Sequence, residues 1–230
     1  MIAQIDKVSK FYAKEEGLKS ASFTLDKGQV VGLFGLNGSG KTTTIKLLAG
    51  LLRPDSGVIR IDGGSVRRHR QSVAYLTDRS AFYPWMSIKD VRRMMSSLFQ
   101  NFDENLFQKL VSELDVPEKP LGQMSKGQSQ RLRLVATMAR KARLYLLDEP
   151  LSGIDLVSRE LIIKTLIKHW DKQSCILLST HEIREVETFF DRGLFLKDGA
   201  LVSDVMADDL YRENKSFTDF FIKLHHSGAI

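Results

Sequence analysis

Gly35-Leu36-Asn37-Gly38-Ser39-Gly40-Lys41-Thr42 is the stretch on which the reading of this 230-residue chain turns. A glycine, four variable residues and then Gly-Lys-Thr form the pattern of a phosphate-binding loop. Glycines let successive backbone N–H groups turn inward and meet phosphate oxygens closely. Just before the loop, Val30-Val31-Gly32-Leu33-Phe34 is a continuous apolar run, as in a strand buried on both faces. After it, Ile45, Leu48 and Ala49 keep helical spacing, which predicts a helix over 42–52 with its positive end toward the loop. The expected site is thus a polyphosphate cradle built by Gly35, Leu36, Asn37, Gly38, Ser39, Gly40 and Thr43. Lys41 is expected to reach the β- and γ-phosphates, and Thr42 to offer its hydroxyl to Mg²⁺.

Outward from the loop, β-rich runs are predicted at 2–8, 21–25, 57–61 and 72–76. From 84 to 142 the pattern changes to helices, with Met, Leu and Phe at spacings of three and four. Leu144-Tyr145-Leu146-Leu147 is again apolar throughout and ends in Asp148-Glu149. A buried parallel strand delivers such carboxylates at its C-terminal edge, where α/β proteins bind ligands. Asp148 is expected to hold Mg²⁺, and Glu149 to polarise the attacking water as general base. Four apolar residues before Asp-Glu are weak evidence alone; joined to the glycine loop they become strong. A helix over 156–170, a strand over 175–179, a helix over 181–190, strands near Leu194 and Leu201 and two short tail helices complete an alternating α/β pattern.

Kinases and GTPases share these two elements. Met124-Ser125-Lys126-Gly127-Gln128-Ser129-Gln130-Arg131 narrows the choice. Ser125 is a good N-cap for a helix running to Ala142, and that helix end would present N–H groups and a hydroxyl to an anion. The octet resembles the Leu-Ser-Gly-Gly-Gln signature of the ABC ATPase family. Other matches follow in that family's order. Ser152-Gly153-Ile154-Asp155 resembles its D-loop, Ser179-Thr180-His181-Glu182 its switch-histidine segment, and Val8-Ser9-Lys10-Phe11-Tyr12 the segment whose aromatic ring stacks on adenine, with Tyr12 the first choice and Phe11 the alternative. The resemblance runs from Tyr12 to His181.

It implies an α/β fold: a P-loop NTPase core with a mostly parallel central sheet, an N-terminal antiparallel β-subdomain and an inserted helical subdomain. The expected division is 1–77 and 143–206 for the catalytic core, 78–142 for the helical lobe and 207–230 for a helical tail. The resemblance further implies ATP and Mg²⁺ as ligands and His181 at the γ-phosphate. Ser125, Gly127 and Gln128 are expected to close over the ATP of a second copy of the chain. A separate integral-membrane permease subunit is the implied partner, and Ser216-Phe217-Thr218-Asp219-Phe220-Phe221 resembles the tail of the exporter branch. Two positions depart from the pattern. Lys126 stands where the family has glycine, and Asp78 stands at the Q-loop glutamine, where a metal role is still expected of it. Ala81-Phe82-Tyr83-Pro84-Trp85-Met86 either lines a docking groove for the permease or is buried in the lobe.

Composition agrees. The net charge is +6 with a pI near 9.4, which favours an anionic partner such as nucleotide, the inner face of a membrane or nucleic acid. Basic clusters occur at Arg67-Arg68-His69-Arg70 and at Arg140-Lys141-Arg143. The lone Cys175 excludes an internal disulfide. The first residues carry a charge at Asp6 and lack a signal-peptide-like run, and no segment reaches the roughly 20 apolar residues of a spanning helix. The expectation is a cytoplasmic protein, peripheral on the membrane through its permease. A non-transport ABC ATPase acting on nucleic acid or the ribosome is the alternative, although no nucleic-acid partner is expected.

Overall fold

The computed structural model describes residues 1–13, 15–77 and 81–226, the side chains at 15 and 226 excepted. An N-terminal hairpin, β1 (Ala3–Tyr12) and β2 (Glu15–Leu25), leads to β3 (Gln29–Phe34), the phosphate loop and α1 (Lys41–Leu48). β4 (Ser56–Ile61), β5 (Gly64–Ser65) and β6 (Val73–Leu76) follow. Three helices come next: α2 (Ile88–Leu98), α3 (Glu104–Glu113) and α4 (Lys126–Met138). The chain then returns through β7 (Leu144–Asp148), α5 (Leu156–His169), β8 (Cys175–Thr180), β9 (Arg192–Lys197) and β10 (Ala200–Met206) to α6 (Ala207–Arg212) and α7 (Phe217–His226).

Among the described residues the strands form one curled sheet in the order β5-β4-β1-β2-β10-β9-β3-β8-β7-β6. The run from β9 to β6 is parallel, whereas β1, β2, β4 and β5 pair antiparallel. Alternation along β3 explains why its sequence is apolar throughout. Val31 and Leu33 face a core shared with Ile45 and Leu47 of α1 and with β1 and β2. Val30 and Phe34 face the opposite core, shared with α4, α5 and the C-terminal helices.

Local chemistry sets the helix starts. Ser87 with Asp90 and Ser125 with Gln128 form reciprocal capping boxes for α2 and α4, while Asp103 and Asp155 cap α3 and α5. Several ends fall short of the sequence reading. α1 stops at Leu48, because Gly50 adopts a left-handed φ of 70° and the next N–H groups fold back onto Lys46. α4 stops at Met138. The helix expected over 181–190 is instead two 3₁₀ turns, Ile183–Glu185 and Glu187–Phe189. Tertiary packing wins there: Ile183, Val186, Phe189 and Phe190 all turn into the core, and Glu187 is claimed by the N–H and hydroxyl of Thr218.

Phe34 is fully buried at the end of β3 and anchors this region. Its ring lies 5.2 Å from Phe190, 5.1 Å from Phe195 and 5.5 Å from Phe217, so α7 is held against the strand that feeds the phosphate loop. Phe34→Ala is expected to destabilise the chain by about 3–5 kcal/mol in equilibrium urea unfolding, as truncating a fully packed aromatic does.

Candidate nucleotide-binding site

The loop between β3 and α1 is shaped by close backbone approach. Gly40 has φ 103°, and a Cβ there would come within 2.5 Å of the Gly17 carbonyl oxygen. Ser39 directs its N–H to Leu36 O at 3.1 Å. Among the described residues, the N–H groups of Asn37, Gly38, Gly40, Lys41, Thr42 and Thr43 meet no protein acceptor, and the buried Ser39 hydroxyl is likewise unpartnered. Gly40, Lys41 and Thr43 are buried, and buried backbone donors are rarely left unpaired. A ring of such donors at the start of α1 fits a polyphosphate.

Lys41 is almost wholly buried and bends over the loop, donating to Gly35 O at 2.8 Å and Leu36 O at 3.2 Å. Burial lowers its pKa, and the carboxylates of Glu149 and then Asp148 oppose that shift. Its Nζ stands 3.9 Å from Glu149 Oε1.

Asp148 ends β7 with no exposure to solvent. The Thr42 hydroxyl approaches its Oδ1 at 3.3 Å, and Ser179 Oγ donates to the same oxygen at 2.7 Å. Thr42 and Asp148 form an oxygen-donor pair beside the phosphate cradle. Among the described residues no cluster of three or more His, Cys, Asp or Glu could hold a metal by itself. That set fits Mg²⁺, which binds through one or two carboxylates, waters and substrate phosphates rather than an all-protein cage.

Glu149 departs from ordinary backbone, with φ 47° in a non-glycine residue. Such strain, on the order of 1 kcal/mol or more, collects at functional positions. Ser179 Oγ accepts its N–H at 3.0 Å, and its Oε2 lies 3.0 Å from His181 Nδ1. The four elements β3–α1, β7, β8 and the turn after β8 thus bring Lys41, Thr42, Asp148, Glu149 and His181 together.

The other expected positions lie elsewhere. Tyr12 and Phe11 are both about half exposed; the Tyr12 ring packs against Gly17 and its hydroxyl is 3.5 Å from Thr43 Oγ1. Ser125, at the start of α4, is exposed, and its hydroxyl accepts the Gln128 N–H at 3.2 Å while the Gln128 side chain accepts the Ser125 N–H at 3.0 Å. Gly127 has open space where a Cβ would stand, and the Lys126 ammonium rests against Gly153. Among the described residues no hydrogen bond or ion pair joins 125–128 to the phosphate loop. Asp78, the expected metal ligand of the Q-loop, lies outside the described residues. Tyr83 and Trp85 stack at 6.0 Å and remain 63% and 67% exposed, whereas Met86 is buried, so the segment divides between both expected fates. His169 has its ring nearly covered and sits 2.7 Å from Glu113.

Two connections escaped the sequence reading. Ser179 bonds both carboxylate residues, and its only signal was a hydroxyl at the polar end of the apolar run Cys175–Leu178. Arg133 of α4 donates to Thr77 O and, at 2.6 Å, to Gln130, whose amide donates to Pro150 O at 3.0 Å. Helix α4 is thereby tied to the residues flanking both active-site turns.

Residues 18–152 match the family model for ABC transporter ATP-binding domains. The aliphatic sulfonates import ATP-binding protein SsuB of Zymomonas mobilis is 33% identical over 202 residues, covering 87% of this chain and 84% of its own length. The SkfA peptide export ATP-binding protein SkfE of Bacillus subtilis is 32% identical over 213 residues, covering 89% of each. A solved ATP-binding subunit of an ABC transporter superposes with a TM-score of 0.86 at 26% identity, over 98% of this chain and all of the other. The chain belongs to the ABC transporter ATP-binding family, whose members bind and hydrolyse ATP.

Ser179→Ala would strip one hydrogen bond from the buried Asp148 carboxylate and one from the Glu149 N–H. Charge-assisted bonds of this kind are worth about 1.5–3 kcal/mol. The expected result is a fall in kcat of order tenfold or more with little change in nucleotide affinity, measured by steady-state ATPase assay beside equilibrium nucleotide binding.

Proposed function

We propose that this chain is the ATP-hydrolysing subunit of a membrane transport system, working as a dimer that holds two ATP molecules and drives a separate permease subunit. The observation that carries this reading is the meeting of Lys41, Thr42, Asp148, Glu149 and His181 at one sheet edge. The division into a catalytic core at 1–77 and 143–206, a lobe at 78–142 and a tail at 207–230 belongs to the same proposal.

In this mechanism the free N–H groups of the loop and Lys41 bind the phosphates. Thr42 and Asp148 would hold Mg²⁺, which would offset the charge of the triphosphate. Asp78 would join them in holding it. Glu149 takes a proton from the attacking water as that water's oxygen bonds to the γ-phosphorus and the bond from that phosphorus to the oxygen bridging to the β-phosphate breaks, so that ADP leaves with the electron pair. His181, oriented by its Nδ1 contact with Glu149, presents the rest of its ring toward the γ-phosphate. Tyr12 stacks on the adenine.

The capped start of α4 supports a dimer. It carries a hydroxyl and free N–H groups, has no acidic residue in its first turn, and contacts no phosphate loop within its own chain. An exposed helix N-terminus of this kind rewards contact with an anion. Ser125, Gly127 and Gln128 close over the triphosphate of the partner copy, and hydrolysis removes the group that makes closure favourable. Gln128 must leave its capping contact to take part.

No described helix is long and apolar enough to cross a membrane; in this proposal the permease holds the subunit on the cytoplasmic side, at the membrane's inner face. Tyr83 and Trp85, beside Asp90 and Arg93 in an open groove, supply exposed aromatic anchors for that subunit. The likeness of 216–221 to the exporter tail supports export, and the relative named for peptide export accords with it.

Glu149→Gln is expected to cut ATP turnover roughly a hundredfold or more, the scale of losing a positioned base, while ATP drives stable dimers visible by size-exclusion chromatography. Monomers under ATP in that variant would refute the sandwiched dimer. Trp85→Ala is expected to lose copurification with the permease and the permease-dependent part of the ATPase rate. Retention of both would remove the docking role.

A further inference from the structure

At the end of α1 remote from the phosphate loop lies a second opening, a cavity of about 460 Å³. Leu47, Leu52 and Ile59 help form its floor, and Arg53, Arg67 and Arg70 line it from separate turns of the chain. No aspartate or glutamate is among its lining residues. Leu47 is six residues beyond Lys41, about 9 Å along the helix, so this opening is distinct from the nucleotide site.

The three arginines are exposed and uncompensated. Among the described residues none of them has an ion-pair partner or a side-chain hydrogen bond. The nearby acids in sequence are already engaged: Asp55 by Lys10 at 2.9 Å and the Phe11 N–H at 2.7 Å, and Asp62 by Arg143 at 3.3 Å. The final carbonyls of α1 do not serve the arginines either. Ile45, Lys46 and Leu47 O accept from the N–H groups of residues 49–52. Like charges lining one cavity repel in the absence of an anion, and arginine forks match phosphate oxygens.

The rim adds a second character. Val58, a lining residue, is 44% exposed, and Leu51, between the lining residues Gly50 and Leu52, is 62% exposed. A free phosphate would satisfy the guanidinium groups and leave this apolar surface wet. A phosphate carrying a glycerol and acyl chains would cover both. We propose that this pocket binds the headgroup of an anionic phospholipid, with Arg53, Arg67 and Arg70 on the phosphate and the leucine-lined floor under the glycerol and first methylenes. The site gives the subunit its own hold on a bilayer surface. It goes beyond the function proposed above and does not depend on it, because lipid binding is measured without permease or ATP.

The test is flotation of the full chain with phosphatidylcholine vesicles, with and without phosphatidylglycerol. Wild type is expected to float with the phosphatidylglycerol vesicles alone, and less so as salt rises. Each arginine near an anionic surface contributes about fivefold in partitioning, so Arg53→Gln, Arg67→Gln and Arg70→Gln combined should lower it about a hundredfold. ATPase kcat and KM should not change in that triple variant. Lys109→Gln, Lys164→Gln and Lys172→Gln combined remove the same charge from other surfaces and should cost far less. Equal losses in the two triples would overturn the proposal, since net charge alone would then act. Release of wild type from vesicles by inorganic phosphate at matched ionic strength would assign the pocket to free phosphate and overturn it too. So would tighter retention on double-stranded DNA that the arginine triple abolishes, or a collapse of ATPase in that triple.

Discussion

The buried carboxylate of Asp148 is the constraint around which the site is organised. A charge with no solvent exposure is costly unless neighbours satisfy it. Here Thr42 arrives from α1 and Ser179 from β8, and both address the same oxygen. The carboxylate therefore fixes the start of α1 against the C-terminal edges of β7 and β8. Moving any one of these elements would leave a buried charge short of partners. The parallel register that pairs Asp148 with Ser179 sets this meeting, and it follows from the continuous apolar strands β3, β7 and β8.

Strain and burial then divide the labour between neighbouring carboxylates. Asp148 is buried, bonded and fixed. Glu149, one residue on, is lifted by a left-handed backbone to the mouth of the site, where it faces His181 and Lys41. Lys41 is held so deeply that burial lowers its pKa, and it turns its ammonium onto the loop's own carbonyls. A lysine poised in this way has a strong incentive to exchange carbonyl oxygens for phosphate oxygens. Helix α4 is joined to the same region by Arg133 and Gln130, which reach Thr77 before one turn and Pro150 after the other. Any displacement of α4 is thus felt beside Glu149.

Much of this was legible in the linear sequence. The glycine loop, the apolar run before it and the Asp-Glu pair after another apolar run are contiguous patterns, each dictated by local backbone needs. Helix starts were legible for the same reason at Ser125. Helix ends and the segment after His181 were not. There Phe189 and Phe190 are drawn into the cluster around Phe34, and tertiary packing overrides the helical spacing. His169 gave no hint of its buried contact with Glu113, which lies 56 residues away.

The sequence by itself determined the α/β fold, the family and the chemistry of a phosphate loop beside an acidic strand, because those features are set by residue type at short spacing. The tertiary structure alone decided that Ser179 joins Asp148 to Glu149, that Tyr83 and Trp85 face outward while Met86 turns in, and that three arginines surround one cavity with their neighbouring acids already engaged. Such facts depend on which distant segments meet across the sheet and on which charges find partners there. No local pattern records that outcome, since it is fixed only when the whole core packs.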